Sequence, residues 1–179
     1  MITCIINILM ILLIGTLTPM QNDIQQSDMQ GLIKLAKYVT WPMEESMTKT
    51  TIMIAPQSDA TFKAAENLAA SNKILDFDIE LKRITDSDID GDDIFNANII
   101  FIESGAKIDI DRLLQKVADK HILTITNDIS ILEKGCMFYV RQNFDTDETT
   151  YYYYRDAIMT SPLRVSALLL RPDHNHEKQ

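Results

Sequence analysis

Between Asn98 and Ile102 the chain reads Asn-Ile-Ile-Phe-Ile, a near-continuous apolar run of strand length. A strand with hydrophobic side chains on both sides has to be covered on both faces, which is the condition of a parallel sheet held between helices. Short β-rich runs recur at 51–55 (Thr-Ile-Met-Ile-Ala), 122–126 and 136–140. Leu75, Phe77, Ile79 and Leu81 alternate with acidic residues and predict a half-buried strand. Helical spacing fills the gaps. Ser27 with Gln30 three residues on has capping-box spacing and predicts a helix start, after a polar linker from Gln21 to Gln26. Met29, Leu32, Ile33 and Ala36 form its apolar stripe, and the helix is expected to stop before Trp41-Pro42. Ser58-Asp59 can cap a second helix carrying Phe62, Ala65, Leu68 and Ala69, and Ile108 to Val117 predicts a third. Thr149 to Tyr154 reads as a last strand, joined through Gln142 to Glu148 to the run before it and so able to pair with it antiparallel. A closing helix is expected over Asp156 to Leu170, with Pro162 in its first turn or kinking it. The expectation is one α/β domain over residues 21–172, with a mixed, mostly parallel sheet of about six strands flanked by helices.

A chain of 179 residues can bury a core of that size without staples. Net charge is −9 and no Lys or Arg precedes Lys34, so there is no basic stripe to hold phosphates, and nucleic acid is not an expected partner. Ile5 to Leu17 is long enough for a signal-peptide core and short for a membrane span, so residues 1–20 read as an export signal, cleaved or retained. A buried N-terminal helix or strand is the alternative. Cys4 lies in that segment, leaving Cys136 alone in the domain without an internal disulfide. Residues 173–179 read as a flexible tail; His174 and His176 sit there beside Asp173, with no fixed further donors for a metal.

Catalytic chemistry finds little footing. Asp86, Asp88, Asp90 and Gly91 spell the opening of a calcium loop, but its twelfth position is Ala97 and its eighth is Asp93, so the segment reads as a solvated acidic connection. Cys136 with His121 would be needed for a nucleophilic dyad, yet Cys136 opens an apolar strand where a buried, inert thiol is expected. No two of the five glycines are close enough to build a phosphate loop. The expectation is a non-enzymatic protein with no cofactor and no metal site. The feature that stands out is Tyr151, Tyr152, Tyr153 and Tyr154 in succession. On a strand they point alternately to both faces, and tyrosine supplies area, rigidity and a hydrogen bond at interfaces. The expected partner-binding anchors are this strand, Phe144 and Trp41, with Trp41 serving equally well as core.

Several segments also resemble the YfiR-like family of periplasmic α/β regulators. Lys37 to Pro42, with Tyr38-Val39 and Trp41-Pro42, is similar to the family's early Tyr-Val-x-Trp-Pro signature. Ala97 to Ile102 followed by Ser104 resembles its middle buried strand, and Thr124, Asp128 and Gly135 fall where the block from Ile122 to Val140 matches. Asp156-Ala157, Leu163, Ser166 and Leu168-Leu169 are similar to the closing segment, so that the likeness extends from Asp28 to Arg171. The resemblance implies a periplasmic repressor that binds the periplasmic region of a membrane diguanylate cyclase and restrains cyclic-di-GMP synthesis, hence biofilm formation. It also implies an outer-membrane partner that relieves repression, and a homodimer. Tyr152 and Tyr154 stand where the family has an acidic residue and Asn, and Ala97 where it often has Cys, which argues for an altered partner surface and against disulfide control. The rival reading is a small-ligand sensory module of the cell envelope, with its ligand near Ser104-Gly105 and Asn127-Asp128 at strand ends.

Overall fold

A computed structural model describes residues 19–42, 47–143 and 148–170. Its first half contains α1 (Pro19–Ala36), β1 (Val39–Thr40), β2 (Thr50–Ala55), α2 (Asp59–Ser71), β3 (Lys73–Ile74) and β4 (Phe77–Arg83). Two short 3₁₀ turns, Asp86–Ile89 and Asp93–Asn96, lead into β5 (Ile99–Ile102) and α3 (Ile110–Val117). The rest is β6 (Leu123–Thr126), α4 (Ile129–Leu132), β7 (Phe138–Asn143), β8 (Glu148–Tyr153), α5 (Arg155–Thr160) and β9 (Arg164–Val165). Seven strands make the main sheet in the order β3-β4-β2-β5-β6-β7-β8, one more than expected, and β1 pairs with β9 apart from it. The central five are parallel, whereas β3 and β8 close the two edges antiparallel.

The double burial of β5 organises everything around it. Ile99 and Phe101 join the core under α1 and α2 with Leu32, Leu35, Ile52, Ile54, Leu123 and Ile125. Ile100 and Ile102 point the other way and pack with Ile89, Ile94, Leu113 and Val117, from the 3₁₀ turns and α3. On β6 the second face carries hydroxyls instead: Thr126 Oγ1 donates to the Ile102 carbonyl (2.8 Å), and Thr124 Oγ1 accepts from the Met137 amide (3.0 Å). Buried hydroxyls are tolerated there because each has a partner.

Three local readings change. α1 starts at Pro19, not Ser27, so the stretch expected as a linker is helical; a proline at the first helical position has no N–H to leave unpaired. Leu75 and Asp76 have φ of 51° and 69°, so they form the turn between β3 and β4 and the half-buried strand begins only at Phe77. The closing helix is short. Ser161, immediately before Pro162, is extended (ψ 143°), which ends α5 at Thr160 and lets the chain return as β9, with Val165 opposite Val39. The Ser58 cap is as expected, with Thr61 as its reciprocal partner. The apolar segment from Ile5 to Leu17, Phe144 and the 173–179 tail lie outside the described residues, among which no helix is long and apolar enough to cross a membrane.

α1 lies so close to the sheet that a Cβ on Gly31 would fall 2.5 Å from Val140 Cγ1 and 3.0 Å from Thr149 Cγ2. Alanine is worth about 1 kcal/mol over glycine inside a helix, but overpacking against two β-branched side chains costs about 1–3 kcal/mol. Gly31→Ala is therefore expected to lower stability, read as a lower urea midpoint at unchanged slope.

Candidate partner-binding surface

The hairpin of β7 and β8 sets out the tyrosines. Its register places Tyr139 opposite Tyr152, Val140 opposite Tyr151, and Phe138 opposite Tyr153. Phe138 and Val140 are in the core beneath α1, so Tyr151 and Tyr153 point there as well. The Tyr151 hydroxyl donates to the Gly31 carbonyl (3.3 Å), and the Tyr153 hydroxyl donates to the Leu170 carbonyl (3.4 Å). Burial raises the Tyr151 phenol above its ordinary pKa. These two tyrosines are structural.

Tyr152 takes the opposite face together with Tyr139, Arg141 and Thr150. The Tyr139 and Tyr152 rings touch at a centroid distance of 5.7 Å, tilted by 33°, a favourable arrangement for two aromatic quadrupoles. Tyr139 is 8% exposed, Tyr152 and Thr150 are half-buried, and Arg141 is exposed. Burial raises the Tyr139 phenol while the nearby Arg141 opposes that shift. Over β2 and β5 this face lies under the 3₁₀ turns and α3; over β7 and β8 it ends in a strip of tyrosine and arginine. Tyr139 and Arg141 escaped the sequence reading, although the alternation along β7 and the short connection to β8 would have put them beside Tyr152.

Tyr154 continues the strip into a cleft of about 450 Å³, bounded by Leu114, Val117, Met137, Asp156 and Thr160. The Lys134–Asp111 ion pair (2.9 Å) stands at its rim. Such a volume is in the range of small-molecule pockets. The crevice at the carboxyl ends of the strands is different. Direction of chain travel reverses between β2 and β5, the switch point where open α/β sheets commonly bind ligands. There the cavity is about 20 Å³, bounded by Asp28, Thr61, Glu103 and Asn127, room for about one water. Glu103 accepts from the Gln57 amide (2.6 Å) and Asp28 from Asn127 Nδ2 (2.8 Å). Ser104 bonds both Asn127 Oδ1 (2.7 Å, through its amide) and Asp128 Oδ2 (2.9 Å, through its hydroxyl). Burial works against the Asp128 carboxylate, but bonds from Ser130 and Ser104 hold its pKa below the ordinary value. The loops at Ser104-Gly105 and Asn127-Asp128 are thus occupied with each other.

Trp41 is 4% exposed and donates from Nε1 to the Asn98 carbonyl (3.3 Å), which places it in the core and not on the surface. Asp86 and Asp90 both pair with Arg112, and Asp88 caps Thr85, so the acidic segment is tied to α3. Cys136 is fully buried and burial pushes its thiol up to about 12, whereas His121 is exposed, so the pair forms no dyad. A thiol this protonated and shielded should resist maleimide in the native protein at pH 8 and react once the chain is unfolded; fast native labelling would contradict the burial.

A profile of the YfiR/HmsC-like family matches residues 25–171, and the chain belongs to that family. The family is one of periplasmic regulators in cyclic-di-GMP signalling, not of enzymes. No curated protein matches the chain.

Proposed function

We propose that this YfiR/HmsC-like protein acts in the periplasm as a repressor, binding the periplasmic region of a membrane sensor such as a diguanylate cyclase through the strip of Tyr139, Arg141, Tyr152 and Tyr154. The observation that carries the reading is the face of β7 and β8 on which the Tyr139 and Tyr152 rings stack beside an exposed Arg141. Tyrosine and arginine are the residue types that most often dominate binding energy at protein interfaces. The rings are already held by the sheet, so little side-chain entropy is lost on association. Repression then needs only a difference in affinity: by binding the inactive sensor more tightly than the active one, the domain draws the population toward it. A change from mostly active to mostly inactive takes about 5 kcal/mol of that preference, which a few aromatic anchors can supply. Release by an outer-membrane partner would compete for the same strip.

A second reading, a small-ligand sensory module, has the cleft beside Tyr154 in its favour. A ligand seated there would lie against the same tyrosine strip and could tune the partner contact. The cavity beside Glu103 and Asn127 is smaller, at about 20 Å³.

Tyr152→Ala and Arg141→Glu are expected to weaken binding of a cyclase periplasmic region by about 30-fold, which is about 2 kcal/mol, and to raise cyclic-di-GMP in cells, with the native circular dichroism spectrum kept. Tyr151→Phe is the control: loss of its bond to Gly31 should cost about 1 kcal/mol of stability and leave affinity unchanged. Strip variants that bind and repress as well as the parent would refute the assignment.

A further inference from the structure

The cleft beside Tyr154 lies between α3 and α5. α5 ends at Thr160, itself a lining residue, because Ser161 is extended ahead of Pro162. The inner wall is made by the buried residues Leu114, Val117, Thr124 and Met137. Thr124 is the one hydroxyl among these four, and it is already engaged: its Oγ1 accepts from the Met137 amide (3.0 Å) and also bonds the Cys136 thiol. What the wall offers an occupant is apolar surface, whose removal from water drives association.

The mouth is polar, and its groups differ in what they have left to give. Lys134 and Asp111 neutralise each other at 2.9 Å. Thr160 Oγ1 donates back to the Asp156 carbonyl (2.9 Å) within its own helix. Three lining side chains make no hydrogen bond or ion pair among the described residues: the Tyr154 hydroxyl, the Gln115 amide and the Asp156 carboxylate. Of these only Asp156 is charged, and with the Lys134–Asp111 pair cancelled the cleft has one negative charge to spare. An anion would be repelled by that carboxylate and would have to compete with Asp111 for Lys134. A neutral molecule leaves the carboxylate unused. An ammonium group can donate to it in a charge-assisted bond, the stronger kind.

We propose that the cleft, on the small-ligand reading on which this inference rests, takes a small organic cation: a primary ammonium held by Asp156, on an apolar body packed against Leu114, Val117 and Met137. Gln115 Oε1 and the Tyr154 hydroxyl are the acceptors available for its remaining N–H groups. At about 450 Å³ the cleft is at the lower end of the range of small-molecule pockets, so the occupant is small. Tyr154 both lines the cleft and ends the tyrosine strip, so an occupant touches a residue of the partner surface.

Isothermal titration calorimetry of the full chain with phenylbutylamine, phenylbutanol and phenylbutyrate, at physiological ionic strength, varies the charge on a constant apolar body. The amine is expected to fill one site per chain and to bind about tenfold more tightly than the alcohol, the size of one bond to a charged group. The carboxylate should bind more weakly than either. Asp156→Asn should bring the amine down to the affinity of the alcohol with the circular dichroism spectrum unchanged, since that carboxylate is exposed and ties nothing in the fold. Asp119→Asn removes an exposed acid just after α3 that does not line the cleft, and should leave the amine's affinity as it was. That control separates the site from general attraction of a cation to a chain of net charge −9. Amine binding untouched by Asp156→Asn, or equal binding of all three compounds, would overturn the ammonium assignment and leave the small-ligand reading standing. Absence of binding by all three at millimolar concentration would overturn both.

Discussion

The structure depends on hydrophobic burial of β5 from two sides. Ile99 and Phe101 face one layer, and Ile100 and Ile102 face the other, so neither layer can be removed without exposing half of the central strand. Burying a large aliphatic or aromatic side chain is worth about 1.5–3 kcal/mol, and four in a row make the strand the nucleus on which β2 and β6 align in parallel. The acidic connection from Asp86 to Asp93 follows from the same demand. It brings Ile89 and Ile94 down onto the second face and is held there by Arg112 from α3.

The architecture could be read from the chain wherever periodicity and burial agree. Ile99–Ile102 announced a strand covered on both faces, Ser58 a helix start, and Leu113, Leu114 and Val117 the inward side of α3. The readings that failed did so where backbone conformation, not pattern, decides. The alternation from Leu75 onward continues through two residues that the turn needs at positive φ. Likewise the apolar spacing after Asp156 imitates a helix across Pro162, where the chain extends and pairs with β1 instead. Long-range pairing of this kind leaves no local trace in a sequence.

The candidate surface was half legible. Four consecutive tyrosines marked β8, and alternation split them into two pairs. Only the register with β7 reveals that Tyr151 and Tyr153 are tied to α1 and to Leu170, whereas Tyr152 meets Tyr139 on the other side. Trp41 shows the opposite case: a residue type favoured at interfaces is used here to close the core over Asn98. The contact proposed for this protein draws on that arrangement: a sheet that holds the Tyr139 and Tyr152 rings in place beside Arg141.

Gly31 carries a mechanical implication. With no side chain at that position, the backbone of α1 rests directly on Val140 and Thr149, and its carbonyl takes the hydroxyl of Tyr151. At Gly31 the helix has no side chain of its own to place between its backbone and the last two strands. A displacement of α1 at Gly31 therefore bears directly on β7 and β8, so that the helix and the edge strand of the sheet move as one piece.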